Sequence, residues 1–219
     1  MRGAAEPPLF SALTLDAEHD EKLIGGDGIV ERDGVAERDG VAERDGDVTL
    51  HRRWLARDRA DVLLESIRMT TTWAQERRKM YDHFVDVPRE QAWYGDDRER
   101  PFTSELLAVR DELQAFTGAR FVYVLLNRYR DGRDSVAWHN DREVHGLAHP
   151  VIASLTLGAT RAFDLRPKGA RADVISIDLD HGDLLVMRGA TQMHWEHRIR
   201  KDPRIHGERI NLTFRQQPA

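Results

Sequence analysis

The chain of 219 residues contains no cysteine. That absence removes disulfide scaffolds, thiol nucleophiles, zinc fingers and iron–sulfur clusters together. Long apolar runs are missing as well. Nothing approaches the ~18 consecutive apolar residues that span a bilayer, and mean hydropathy is −0.60. The opening stretch, MRGAAEPPLFSALTLDAEHDEK, lacks a basic start followed by an extended apolar core, which argues against secretion. The expectation is a protein without a membrane partner. Any metal must be held by imidazole and carboxylate, and ten histidines supply the former.

What is present suits one globular domain with surplus: 40% of residues are hydrophobic and 32% charged. The charge is uneven. Residues 1–46 hold 5 Lys/Arg against 12 Asp/Glu, whereas the remainder holds 28 against 26. A weakly basic body permits a polyanionic partner without demanding one. Within the acidic segment lies a tandem repeat, IVERDG at 29–34 and VAERDG at 35–40 and 41–46. Copies with one or two apolar residues each cannot bury a core, so 1–46 is expected to be a solvated, disordered segment. The folded domain is then 47–219.

From Val48 a strand-like stretch (VTLHRRWL) leads into a helical pattern that Asp58 can cap, with Val62, Leu63, Ile67 and Met69 as its apolar stripe. Residues 88–96 (PREQAWYGD) suggest a loop running into an extended segment. A second amphipathic helix is expected over 104–116, with Leu106, Leu107, Val109, Leu113 and Phe116 inward. Beyond Gly118, short β-branched runs at 121–126, 136–138, 151–157, 161–165, 174–179, 184–187 and 210–214 alternate with DG, PKG and HGD turn signals. Many short strands after two helices indicate an α+β, mostly β chain with a jelly-roll core on which the helices pack.

Two stretches carry chemistry. In Trp138-His139-Asn140-Asp141, residues two apart on a strand share a face, which would bring His139 and Asp141 together. An imidazole and a carboxylate are two-thirds of a 2-His-1-carboxylate facial triad. The third ligand could be His145, His149, His181, His194, His197 or His206; spacing alone does not choose. In 209–215 (RINLTFR) the alternation is strict: Ile210, Leu212 and Phe214 on one face, Arg209, Asn211, Thr213 and Arg215 on the other. Two arginines flanking Asn and Thr can grip a carboxylate through bidentate, charge-assisted hydrogen bonds. Asn127 and Tyr129 likewise share a face of the strand leading to the HxD turn.

Taken in order, NRYRDG (127–132), WHND (138–141), IASLTLGATRAF (152–163), HGDLLVM (181–187), WEHRI (195–199) and RINLTFR (209–215) resemble the AlkB family of Fe(II)- and 2-oxoglutarate-dependent nucleic-acid dealkylases. The resemblance implies a double-stranded β-helix and the metal ligands His139, Asp141 and His197. It implies a cosubstrate shell of Asn127, Tyr129, Arg209, Asn211 and Arg215, with Arg209 on the distal carboxylate of 2-oxoglutarate. The implied activity is oxidative removal of N-methyl groups from 1-methyladenine- and 3-methylcytosine-type bases in DNA, releasing formaldehyde, succinate and CO2. Because a base inside a duplex cannot reach buried iron, the target would be flipped out or single-stranded. Trp93, Tyr94, Phe102, Glu143 and Arg161 are the candidate substrate contacts. The implied partner is alkylated DNA, with RNA as the alternative polymer, and the implied protein is a monomer, cytoplasmic or nucleoid-associated. The chain departs from the pattern in two places: Arg142 replaces the first of two acids after Asp141, and DRERPFTS (97–104) lacks an aromatic pair. The competing expectations are an oxygenase of this fold acting on RNA, protein or a small molecule, and a binding module on an inactive scaffold.

Overall fold

The turn signals do separate strands, as their glycines and acids predict. The structure, a computed structural model, describes residues 20–24, 46–80, 82–96, 98–144, 146–147 and 150–216. In chain order the strands are β1 (Asp20–Ile24), β2 (Asp47–His51), β3 (Arg77–Met80), β4 (His83–Asp86), β5 (Glu90–Gly95), β6 (Tyr123–Tyr129) and β7 (Val136–His139). They continue as β8 (Val151–Gly158), β9 (Arg161–Pro167), β10 (Ile175–Leu179), β11 (Leu184–Arg188), β12 (Trp195–Ile199) and β13 (Arg209–Arg215). The helices are α1 (Arg57–Thr70), α2 (Ser104–Thr117) and the single turn α3 (Thr191–His194).

A seven-stranded sheet in the order β1-β2-β11-β8-β13-β6-β5 faces a four-stranded sheet in the order β10-β9-β12-β7, and β3–β4 forms a separate hairpin. The expected mostly-β jelly roll is therefore present. Strand parity divides the core. Leu155, Leu184, Val186, Ile210, Leu212 and Phe214 turn outward from the large sheet and pack with α1 and α2. Ile152, Leu185 and Met187, from the other face, meet Phe163, Leu165, Ile177 and Ile199 of the small sheet. Truncating any one fully buried Leu to Ala costs about 2–5 kcal/mol.

Local rules explain the helices. In α2, Thr103 accepts a hydrogen bond from the Leu106 N–H and Gly118 closes the helix at φ 72°, a conformation that glycine adopts without strain. In α1 the buried stripe is Ala60, Leu63, Leu64 and Ile67. The expected Val62 and Met69 instead lie 43% and 83% exposed, because they fall off that 3.6-residue stripe. Asp58 does not cap α1; it sits in the first turn, where a carboxylate meets the positive end of the helix dipole.

Two elements had no strand-like sequence signal. The hairpin β3–β4 is highly charged in sequence, with Arg77, His83, Phe84 and Asp86 exposed and an Arg77–Asp86 ion pair at 3.1 Å tying its strands. Strand β1 precedes Asp47, where the sequence suggested that the fold begins. It extends the open edge of the large sheet beside β2, buries Ile24 and is held by Asp20–His51 at 2.6 Å and Arg52–Glu21 at 3.3 Å. Residues 1–19 and 25–45, which include the repeat up to residue 45, lie outside the described residues.

Candidate metal and dicarboxylate site

Between the sheets opens a cavity of about 1170 Å³. Its floor is β13, whose polar face points inward while its apolar face packs on the helices. Pairing continues that polar face sideways: Arg209 stands opposite Tyr129 and Asn211 opposite Asn127 on β6. On β8, Asn211 meets Thr156 and Thr213 meets Ser154.

The small sheet brings the histidines together. His197 on β12 is the cross-strand partner of His139 on β7, with ring centroids 4.4 Å apart. Among the described residues, His139, Asp141 and His197 form a cluster whose ligand atoms all lie within 4.8 Å of one another. His139 Nδ1 lies 2.9 Å from the Ala137 carbonyl, which can only accept, so that nitrogen carries a proton and Nε2 is the atom left to face a metal. Burial pulls His197 down to about 3, so its imidazole is neutral and able to ligate. Phe163 stacks on it at 5.2 Å. Burial alone would raise the Asp141 carboxyl, but the positive charge of Arg215 beside it outweighs it and holds the group below the usual carboxylate range. Arg215 Nη2 donates to Asp141 Oδ1 at 2.7 Å.

Arg209 has a different environment. It is 1% exposed and donates to Thr156 Oγ1 at 2.9 Å and Asn211 Oδ1 at 2.7 Å. Among the described residues no carboxylate pairs with it, and burial pulls its guanidinium down to about 10. Its Nε, together with Nε and Nη1 of Arg215, is buried without a hydrogen-bond partner. A buried unpaired cation costs several kcal/mol. These orphaned donors line the cavity and fit an incoming carboxylate.

Of the sequence candidates, Asn127, Tyr129, Asn211, Trp93 and Glu143 also line this cavity. Three others do not. Tyr94 points the opposite way from Trp93 on β5, into the core with the helices, its hydroxyl 3.4 Å from Thr71 Oγ1. Phe102 is buried in the same core beneath the Arg110 guanidinium. Arg161 is 1% exposed and donates to the carbonyls of Asp131, Asp134 and Arg200, where it ties loops together. Among the alternative histidines, His194 ends α3 exposed to solvent, and His206 is exposed. His181 accepts from the Gly158 N–H at 2.8 Å, while His145 and His149 lie outside the described residues.

Several lining residues were not singled out beforehand. Arg89 Nε and Gln91 Nε2 donate to Asn127 Oδ1 at 2.9 and 2.8 Å. The guanidinium groups of Arg166 and Arg198 both stand over the Trp138 ring, at 4.0 and 4.5 Å from its centroid. Ser154 Oγ donates to Asn211 Oδ1 at 3.1 Å; the polar positions at period two in IASLTLG were a signal for it and for Thr156. Strand parity, moreover, does not explain how Asp141 joins His139. β7 ends at His139, and Asp141 is placed from outside the strand.

The profile of the 2OG-Fe(II) oxygenase superfamily matches residues 47–215. The chain belongs to that superfamily. Among curated relatives, alkB homolog 3 of Rattus norvegicus, an alpha-ketoglutarate-dependent dioxygenase, is 38% identical over 177 residues, covering 71% of this chain and 59% of its own. The DNA oxidative demethylase ALKBH2 of Mus musculus is 35% identical over 162 residues, 66% of this chain and 68% of that one. Within the superfamily this is an AlkB-family chain, spanning about three-fifths of the length of the homolog 3 relatives it matches. The solved structure of OsALKBH1 superposes with a TM-score of 0.57 at 19% identity, over 77% of this chain and 97% of that one, which shows the shared fold. Fe(II) and 2-oxoglutarate, which give the superfamily its name, fit the residues present. An N,N,O donor set is adapted to Fe(II), and the orphaned guanidinium donors are adapted to a diacid. Among the described residues no helix is long and apolar enough to cross a membrane.

Proposed function

We propose that this chain oxidatively demethylates N-alkylated bases of the 1-methyladenine and 3-methylcytosine type in DNA. The observation that carries this reading is the meeting, on the wall of one cavity, of a buried His-Asp-His cluster and a buried arginine without an acid partner. The names of the relatives, alkB homolog 3 and DNA oxidative demethylase, supply the substrate class.

His139, Asp141 and His197 would hold Fe(II), and Arg209 would take the distal carboxylate of 2-oxoglutarate. Bound Fe(II) with 2-oxoglutarate and O2 supplies insertion of one oxygen into an N-methyl C–H bond; the N-hydroxymethyl product loses formaldehyde, and 2-oxoglutarate leaves as succinate and CO2. The protein's own residues fix the geometry. Thr156 and Asn211 orient the Arg209 guanidinium, and Asn127 and Tyr129 wall the cosubstrate pocket. Arg215 offsets the Asp141 charge and keeps two N–H groups toward the cavity. Enclosure between the sheets keeps bulk water from the reacting atoms. A flipped base would stack on Trp93, and Glu143 at the mouth would accept a hydrogen bond from its exocyclic amine. The chemistry resides in 47–219, and the protein acts as a monomer in the cytoplasm or on the nucleoid.

The test is formaldehyde release from methylated single-stranded DNA, duplex DNA and RNA, with and without Fe(II) and 2-oxoglutarate. Release from DNA that needs both is expected. Succinate formation without release from any methylated polymer would move the substrate elsewhere, and no succinate at all would overturn the oxygenase reading.

A further inference from the structure

We infer that Gln192 is a positioning residue for the metal centre, fixing the main chain of Asp141 and hence where its carboxylate stands. The inference rests on the reading that His139, Asp141 and His197 hold the metal.

The β7–β12 ladder reaches only His139↔His197 and Val136↔Ile199, with an irregularity between them. Asp141 follows the end of β7 and precedes a 3-10 turn at Arg142–Val144, so no ladder hydrogen bond holds it. Its carboxylate is gripped by Arg215, but one contact at Oδ1 leaves the residue free to pivot about that point. The second anchor is Gln192. The Asp141 N–H donates to Gln192 Oε1 at 2.8 Å, within the protein interior. Asn140 Nδ2 donates to the Gln192 main-chain carbonyl at 2.8 Å, so two consecutive residues, Asn140 and Asp141, are each tied to Gln192.

Gln192 is itself well held. It is 3% exposed, with Nε2 3.3 Å from Met187 Sδ, and its carbonyl also accepts from Lys168 Nζ at 3.0 Å. The neighbouring Thr191 hydroxyl donates to the Arg188 carbonyl at 2.6 Å. The turn α3 that carries Gln192 runs directly into β12, which carries His197. One side chain therefore couples the two distant stretches that provide the three ligands. Its amide oxygen can do this because it accepts from a main-chain N–H that would otherwise be buried without a partner.

The experiment uses the full metal-free chain and Mn(II) alone as the probe, with bound metal followed by electron paramagnetic resonance. Gln192→Met conserves shape but removes the acceptor. Partners that orient a ligand from behind typically contribute 10–100-fold in metal affinity, and a loss of about that size is expected, with a cooperative melt retained at a somewhat lower midpoint because the buried Asp141 N–H loses its acceptor. Gln192→Glu, which keeps an acceptor oxygen, should restore binding. In turnover, Gln192→Met should raise the Fe(II) requirement while kcat at saturating Fe(II) recovers. Asn140→Ala, which opens the other half of the clasp, should weaken Mn(II) binding by a smaller factor and decides the matter if Gln192→Met fails to fold. Asp141→Ala is the control. If it binds Mn(II) as the parent does, the metal-site reading itself fails. If it loses Mn(II) while Gln192→Met and Asn140→Ala retain parental affinity, or if Gln192→Glu is as weak as Gln192→Met, the role of Gln192 is refuted alone.

Discussion

Arg209→Met tests the cosubstrate site most sharply, because it removes a charge while keeping most of the volume. In the parent the guanidinium is buried, hydrogen-bonded to the neutral oxygens of Thr156, Asn211 and Tyr129, with no acid partner among the described residues. A carboxylate arriving there forms a desolvated, charge-assisted pair, and deleting one partner of such a pair costs about 3–5 kcal/mol. At 1.4 kcal/mol per tenfold, 2-oxoglutarate affinity should fall roughly 150- to 4000-fold. The matching monoacid, 2-oxopentanoate, should bind parent and variant alike, since it never used Arg209. Stability should move the other way. Without cosubstrate the variant no longer buries an unpaired cation, so its urea midpoint should equal or exceed that of the parent. Asn211 Oδ1 still accepts from Ser154 Oγ in the variant, which limits the loss. With 2-oxoglutarate at about 100 times its dissociation constant the parent gains about 2.7 kcal/mol and overtakes. Equilibrium titration of both oxo acids and paired urea melts make the measurement. A drop in affinity smaller than about tenfold (1.4 kcal/mol), or unchanged discrimination between diacid and monoacid, would refute the reasoning.

Other outcomes follow from the same geometry. His139→Ala, Asp141→Ala and His197→Ala should each abolish turnover and Mn(II) binding with circular dichroism unchanged, while His194→Ala, at an exposed helix end, should be active; the reverse for the last two would reassign the ligand. Burial alone would raise the Asp164 carboxyl, but hydrogen bonds from Arg198, Ser176 and Arg200 outweigh it and hold the group below its usual range. Its stabilising contribution is thus complete above pH about 4 and is lost as pH falls through the lowered value. The stability gap between parent and Asp164→Asn should therefore narrow on acidification, and a constant gap from pH 5 to 2 would contradict the assignment. Arg142, exposed at the cavity mouth and without a hydrogen-bond or ion-pair partner among the described residues, is placed to meet a phosphate. Arg142→Gln should reduce the slope of log affinity against log salt for single-stranded DNA by about 0.7, equally for methyladenine and methylcytosine; a change confined to one base would show that Arg142 contacts the base instead.

How much of this could be read from the residues varies from element to element. The face of β13 was legible because alternation over seven residues has one consistent solution when one face is apolar and the other carries Arg, Asn, Thr and Arg. Trp93 and Tyr94 show the opposite case. Both are aromatic and adjacent, so composition cannot say which faces the cavity; the pairing of Trp93 with Leu125 and Tyr94 with Val124 decides it. Arg161 looked free for a ligand because a sequence shows charge but not the backbone carbonyls that loops bring to it. Strand β1 left no signal, since the pairing that stabilises it comes from β2, beyond a long connection.

The residue types that suit a facial metal site, the strand with one apolar and one Arg-Asn-Thr-Arg face and the mostly-β class were determined by the sequence itself, because local alternation, turn chemistry and side-chain donor sets are properties of short stretches. The meeting of His197 with His139, the orphaned Nε of Arg209 and the clasp that holds Asp141 were decided only by tertiary structure. They depend on register between strands far apart in the chain, and on burial that strips water from a charge, neither of which any short stretch contains.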